Sequence, residues 1–306
     1  MKAVVYKKYG SPEVLELKDV EKPKPKDDEI LIKIHATTVT SGDVRLRSSN
    51  FPPLFWLPAR LIFGLFKPKK KILGHELSGT VEKIGKNVTK FNVGDNVFGT
   101  TTMLKTGSYA EYICIPQKWK HGVIALKPKS LNYSEAAALP IGAMTAIYLL
   151  EKANLEKGQN VLIYGASGSV GSYALQIANQ KEAKVTVVCS ASNFEMVKSL
   201  GAEHLIDYKK DDYSKSNEKF DIIFDAVGKT TKSKAKKVLK SSGVFVSVKM
   251  ITKEKNEHLE FIKNMTEKGE LKPFIDKTFI FDEIVKAHKY VDTGRKRGNV
   301  VIKILE

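Results

Sequence analysis

The run Val161-Leu162-Ile163-Tyr164-Gly165-Ala166-Ser167-Gly168-Ser169-Val170-Gly171 constrains the fold more than any other stretch, because an apolar strand passes directly into a glycine-rich turn that opens a helix. In such a turn Gly165 leaves the strand tightly, Gly168 lets backbone approach a pyrophosphate, and Gly171 lets the helix pack closely on the sheet. Unpaired N–H groups at the helix start favour an anion. The spacing G-x-x-G-x-x-G departs from the common G-x-G-x-x-G, and three glycines alone signal only a tight turn. Context decides the matter. Val170, Tyr173, Ala174, Ile177 and Ala178 share one helical face, and an apolar strand at 184–189 follows at once. The stretch reads as a dinucleotide site in which Gly165, Ala166, Ser167, Gly168, Ser169, Val170 and Gly171 wrap the phosphates.

The tip of that second strand selects the dinucleotide, since NAD-binding folds place an Asp or Glu there for the ribose 2′-hydroxyl. Here Ser190-Ala191-Ser192-Asn193 offers hydroxyls and an amide but no carboxylate, so a 2′-phosphate is not repelled and NADPH is favoured. Ser190 reads as the phosphate ligand. Ser192, three residues before Glu195, reads better as part of a capping box for the helix that Gly201 ends.

With 306 residues the chain can bury a sizeable core and exceeds a typical single domain, so two domains are expected. Its two cysteines, Cys114 and Cys189, sit in apolar strand-like runs, which excludes a disulfide framework and a four-cysteine zinc site. They read as core thiols in a reducing compartment. The N-terminal apolar run is too short for a signal peptide, and the expected compartment is the cytoplasm. A formal charge of +17 raises the question of nucleic acid or an acidic membrane surface. The basic clusters at 22–26, 67–71 and 232–237 are scattered and lack interleaved aromatics, so the expectation is a lysine-rich solvated surface that attracts anionic cofactor and substrate, with no nucleic-acid partner. The most apolar segment, residues 51–66, is interrupted by three prolines and Arg60 and is shorter than the roughly 20 residues of a spanning helix. It reads as a buried cross-connection, as a lid over a substrate cleft, or as a contact surface.

Residues 1 to about 116 are strand-rich, with turn signals at Tyr9-Gly10-Ser11-Pro12, Ile84-Gly85-Lys86-Asn87 and Val93-Gly94-Asp95, a pattern that fits a partly open β-barrel. From 131 to 248 helices alternate with apolar strands at 160–164, 184–189, 204–208, 220–225 and 244–248. This is an α/β pattern with a doubly wound parallel sheet. The tail carries an amphipathic helix at 281–291 and a strand at 299–304. The expected domains are 1–120, completed by 272–306, and 121–271.

Gly74-His75-Glu76-Leu77-Ser78-Gly79, with Gly85, Val88 and Gly94-Asp95-Asn96-Val97, follows the G-H-E signature of zinc alcohol dehydrogenases. Together with Gly107-Ser108-Tyr109-Ala110-Glu111-Tyr112, Leu139-Pro140, Thr145-Ala146, the glycine turn, Asp225-Ala226-Val227-Gly228 and Arg297-Gly298-Asn299, it makes the chain resemble the medium-chain dehydrogenase/reductase superfamily, in its zinc-independent quinone oxidoreductase-like branch. The resemblance covers nearly the whole chain. It implies a GroES-like barrel domain completed by the C-terminal strand and a Rossmann domain that binds NADPH.

The resemblance also exposes a missing ligand set. Catalytic zinc takes three protein ligands and an open position, yet Thr40 stands where the family has its first cysteine and Ile141 lies near the later ligand, so no metal is expected. Hydride transfer to an already electrophilic acceptor, a quinone or an α,β-unsaturated carbonyl, remains. An alcohol dehydrogenase, with or without zinc, and a non-enzymatic NADPH-binding protein are the alternatives. By resemblance Thr40, Asp43 and Arg45 border nicotinamide and substrate, Arg45 replacing a frequent tyrosine, while His75 and Glu76 are fixed polar groups of the barrel. Thr145, Ala226, Val227, Gly228 and Asn299 contact the cofactor, and Asn193 and Tyr208 match positions near the adenosine 2′-phosphate. The polar segment 251–258 stands where the family has an apolar edge strand, so a monomer or an atypical dimer is expected.

Overall fold

The structure, a computed structural model, describes residues 1–305 except for the side chain of Leu54. Leu54 in the apolar segment and Glu306 at the end of the expected barrel completion therefore lie, in side chain and in full respectively, outside the described residues. In chain order the strands are β1 (Lys2–Val5), β2 (Glu16–Asp19), β3 (Glu29–Thr38), β4 (Glu76–Ile84), β5 (Asn96–Thr100), β6 (Tyr112–Pro116), β7 (Ile124–Leu126), β8 (Asn160–Tyr164), β9 (Lys184–Cys189), β10 (His204–Asp207), β11 (Phe220–Asp225), β12 (Leu239–Ser247), β13 (Ile275–Ile280) and β14 (Asn299–Lys303). The helices are α1 (Ser41–Ser48), α2 (Pro53–Phe63), α3 (Tyr133–Ala137), α4 (Pro140–Lys152), α5 (Ser169–Gln180), α6 (Phe194–Ser199), α7 (Lys232–Ala235), α8 (Asn256–Glu267) and α9 (Ile284–Asp292). They fall into two compact units, Met1–Pro140 with the chain from Ile275 onward, and Ile141–Phe274.

The first unit is the GroES-like barrel, built around β3, whose apolar residues Ile30, Leu31, Ile32 and Ile34 are almost wholly buried. β3 pairs antiparallel with β4, β6 and β14. Register shifts against β4 at Leu31/Ile32 and Ile34/Ala36 bend the sheet in the way bulges do. Gly79 in β4 is required by this closeness, because a Cβ there would stand 2.2 Å from the Lys33 carbonyl oxygen. The tail strand β14 joins β3 in register Val301↔Thr38, so the last residues complete the barrel. The expected boundary at residue 120 falls inside this unit, because β7 pairs with β5 and α3 packs on β3 and β4. The tail helix opens as a 3-10 turn at Phe281–Glu283 before α9 begins.

The second unit is a Rossmann sheet of five parallel strands in the order β10-β9-β8-β11-β12. The chain starts in the middle at β8, builds outward to β10, then crosses to β11 and β12. Between β8 and β11 the direction of winding reverses, the place where open α/β sheets bind ligands at the carboxyl ends of their strands. α5 packs over the sheet with Tyr173, Ala174, Ile177 and Ala178 buried and Val170 half-buried. After β12 the chain reaches α8 through residues 248–255, with no sixth strand among the described residues. α8 begins at Asn256.

Residues 51–66 are not a buried cross-connection. They form α2 and the turn after it, and Phe55, Trp56, Leu57, Leu61, Ile62 and Phe66 are all exposed. No helix among the described residues is long and apolar enough to cross a membrane.

Candidate functional site

The turn between β8 and α5 has the geometry of a phosphate cradle. Gly165 adopts a φ of +86°, open to glycine at little cost, and a Cβ there would strike the Val227 side chain at 2.5 Å. A Cβ on Gly171 would stand 2.3 Å from the Gly165 carbonyl oxygen and 2.7 Å from Ala166 Cα, so the helix can approach the strand only without a side chain. Gly168 differs. Its nearest neighbour would be 3.6 Å from an added Cβ, which leaves free space beside the N-cap of a twelve-residue helix. Open space at backbone N–H groups and the positive end of a helix dipole suits a pyrophosphate. Ser169 and Val170 are half-buried at this mouth. Gly142 packs α4 against α5, its Cβ position only 2.3 Å from Ser169 Oγ, which sets Thr145 one helical turn farther along α4.

Polar side chains join this turn to the tip of β9. Asn193 Nδ2 donates to Ser167 Oγ at 3.0 Å, and the Ser190 and Ser192 hydroxyls are 2.9 Å apart. The structure corrects the capping role of Ser192: the N-cap of α6 is Asn193, without a side-chain cap, and Ser192 lies in a preceding 3-10 turn. Sequence reasoning thus missed Ser192 as a member of this polar group. Tyr208, half exposed, sits beside them because its N–H donates to the Cys189 carbonyl. Asp207, in register with Cys189, turns its carboxylate to the Lys209 N–H. The loop after β11 is shaped by buried Asp225, whose Oδ1 accepts from the N–H groups of Val227, Gly228 and Lys229 at 2.9–3.3 Å while its Oδ2 accepts from Ser247. Ala226, Val227 and Gly228 are held there. Asn299 belongs to the first unit, buried in β14.

The first unit gathers a second cluster at the start of α1. Thr40 is the N-cap, and Thr40 and Asp43 form a reciprocal capping box. Asp43 has no exposed surface, and its carboxylate accepts from Thr40 N and Oγ1, from Gly74 N at 2.9 Å and from His75 Nδ1 at 2.8 Å. Burial pushes its pKa up, but the charge and hydrogen bond of His75 and the bonds from Thr40 outweigh it and hold the carboxyl well below the usual range. Asp43 is thus fully enclosed. It engages Nδ1 of His75, which is one-fifth exposed, leaving Nε2 as the other ring nitrogen, while Thr40 is half-buried. Sequence reasoning gave His75 only a fixed structural role, and its 32-residue separation from Asp43 hid the pairing. Arg45 lies on the exposed face of α1, lining a recess of about 450 Å³ with Ser41, Ser48, Phe51 and Asp292. Glu76 is buried and accepts from the Thr38 hydroxyl.

Beneath this cluster runs a buried polar chain that the sequence did not announce. Arg47, 2 % exposed, pairs with Asp292 at 2.8 Å and donates to Gly10 O and His288 Nδ1. His288 Nε2 meets Tyr109 Oη at 3.2 Å, and Tyr109 donates to Thr38 O. Burial drives the His288 pKa down to about 3, with Asp43 opposing and Arg47 adding to the shift.

Comparison with known proteins adds the lineage. An alcohol dehydrogenase GroES-like domain matches residues 26–127, and a zinc-binding dehydrogenase domain matches residues 169–271. The 2-methylene-furan-3-one reductase of Solanum lycopersicum is 35% identical over 322 residues, covering 99% of this chain and 79% of that protein. The chain belongs to the medium-chain dehydrogenase/reductase superfamily, in its quinone oxidoreductase-like branch. The chloroplastic NADPH-dependent alkenal/one oxidoreductase of Arabidopsis thaliana is 30% identical, with 99% of this chain and 79% of that one covered. The quinone oxidoreductase from Coxiella burnetii superposes with a TM-score of 0.89 at 29% identity, over 100% of this chain and 99% of that one.

Membership raises the question of zinc directly. The residues do not fit it: Thr40 gives its hydroxyl hydrogen to Asp43, Ile141 offers no donor, and no three metal-binding side chains gather among the described residues. The superfamily's dinucleotide does fit, on the open space at Gly168 and the polar group beyond it.

Proposed function

We propose that the chain is an NADPH-dependent reductase of quinones or α,β-unsaturated carbonyls that works without zinc. The observation that carries this reading is the tip of β9, where Ser190, Ser192 and Asn193 stand in place of a carboxylate beside the phosphate cradle. Hydroxyl and amide groups accommodate a 2′-phosphate that a carboxylate would repel. Tyr208 adds a face for the adenosine. Bound NADPH supplies a hydride, and the chain contributes position and polar contacts. His75 presents its Nε2 for an acceptor oxygen, Asp43 holds the ring in place through Nδ1, Thr40 caps the helix beside it, and Arg45 adds positive charge nearby on α1. The relatives' printed activities, on a furanone and on alkenals and enones, support an activated alkene as acceptor.

NADPH oxidation followed with quinones, enones and simple ketones, beside metal analysis of the purified protein, tests the reading. Turnover of quinones or enones at substoichiometric zinc is expected. Stoichiometric zinc with alcohol oxidation would replace it by an alcohol dehydrogenase, and tight NADPH binding with no turnover by a non-enzymatic binding protein. Free thiols at Cys114 and Cys189 suit the reducing cytoplasm. With β12 at the sheet edge and the lysine- and glutamate-bearing segment 251–258 after it, we infer a monomer or a dimer through another face.

A further inference from the structure

From the face of α2 we propose that the first unit docks on anionic membrane surfaces, α2 lying in the plane of the lipid headgroups. The helix turns Phe55, Trp56, Leu57, Leu61 and Ile62 outward, between 42 and 61 % exposed, and Phe66 just beyond it is 88 % exposed. Scattered surface apolar residues need no explanation, but five large ones on one short helix and a sixth just beyond it form a patch of the kind that marks an interaction surface. The charge on the helix itself is withdrawn. Arg60 stacks its guanidinium 4.0 Å from the Tyr9 ring and donates to Ser49 and Leu65 O, so it braces the helix against the unit instead of interrupting the patch. Tyr9 Oη in turn donates to Phe63 O and Gly64 O, which fixes the helix end. The patch is therefore rigidly presented.

Charge complementarity names the partner. From Val44 to His75 the sequence has no acidic residue and seven basic ones, and Lys67, Lys69 and Lys71 emerge exposed directly after Phe66. An apolar face rich in Phe, Trp and Leu, flanked by lysines, matches an interfacial helix on anionic lipid. The same charge disfavours a second copy of this chain, because a twofold contact through this face would set the exposed Lys67, Lys69 and Lys71 of one copy near those of the other. The reading is independent of the reaction catalysed, and it requires no spanning segment.

Co-sedimentation of the full chain with vesicles of one part phosphatidylserine to two parts phosphatidylcholine, beside pure phosphatidylcholine, tests it. Binding to the anionic vesicles, a blue shift of Trp56 fluorescence on binding, and weakening by salt are expected. Lys67→Gln/Lys69→Gln/Lys71→Gln should lower the partition coefficient roughly a hundredfold. Phe55→Ser/Phe66→Ser should abolish the blue shift while leaving the unfolding temperature unchanged, since both side chains already face solvent. Failure to sediment at low salt would overturn the proposal. So would equal binding by both variants, which would assign adsorption to the overall charge, or a concentration-dependent dimer in light scattering that Phe55→Ser/Phe66→Ser dissolves.

Discussion

The two units carry their polar chemistry in opposite ways. In the Rossmann unit the phosphate cradle is made of backbone: three glycines within seven residues, a helix start and a few small hydroxyl and amide groups. In the barrel unit the cluster around Asp43 is made of side chains brought from afar, with His75 32 residues away and, in the chain below it, Arg47 and His288 241 residues apart. A backbone site fails when something intrudes on it and is indifferent to pH. A buried side-chain network fails when a charge is removed or a proton added. The difference can be tested at five positions.

The largest effect is expected at Gly171. Gly171→Val places atoms where even a Cβ would lie 2.3 Å from the Gly165 carbonyl, so α5 must leave the sheet, at a cost of about 3 kcal/mol or more. Thermal unfolding should show the loss and calorimetry should show no NADPH binding. Gly168→Ala is the contrast: with 3.6 Å of room its stability should stay within about 0.5 kcal/mol of wild type, while its affinity for NADPH falls. A Gly168→Ala protein that binds NADPH normally would break the assignment of that space to the pyrophosphate.

At the barrel cluster, Asp43→Asn removes a buried charge that answers four donors, and about 3 kcal/mol of stability should go with it. His75 should lose its orientation as well, so turnover should fall further than NADPH affinity. Equal losses in both would make the cluster purely structural.

Ser190→Asp sharpens the comparison from the other side, as a charge placed in the backbone site. Repulsion of the 2′-phosphate and acceptance from a ribose hydroxyl should shift the ratio of kcat/KM for NADPH over NADH by about 2 kcal/mol, roughly thirtyfold. If wild type already prefers NADH, the reading of the β9 tip is wrong.

The smallest effect is a slope. His288 is held near 3 from an ordinary 6.5, so the folded state binds fewer protons than the unfolded chain in that window. Its contribution is fully present above pH 6.5 and lost as pH falls toward 3, at about 1.4 kcal/mol per pH unit. Asp43, with its lowered pKa, works in the same direction only below the ordinary carboxylate range. Urea unfolding between pH 7 and 4.5 should therefore show the slope in wild type and lose most of it in His288→Gln.

Most Rossmann strands were legible almost residue for residue, because each is a short apolar run bounded by its own turn, and Asn160–Tyr164, Lys184–Cys189 and Phe220–Asp225 stand where the pattern puts them, whereas β12 begins at Leu239, five residues before the expected 244, because its first half is polar. The glycines of the turn were legible for a related reason: Gly165 needs a positive φ, and Gly171 is crowded by Gly165 and Ala166 only six and five residues away, although the contact of Gly165 with Val227 was not visible locally. The apolarity of residues 51–66 was plain in the sequence, yet which way α2 faces was not, since burial depends on what the rest of the chain leaves uncovered. Ser192 was misplaced because a capping box and a 3-10 turn share one local signature, and only the position of α6 separates them. By itself the sequence determined the lineage, the parallel sheet, the cradle and the absence of a carboxylate at Ser190. Tertiary structure alone decided that Asp43 is sealed beneath Thr40 and His75 and that Arg47, His288 and Tyr109 form one buried chain, because those contacts join residues whose local patterns carry no trace of one another.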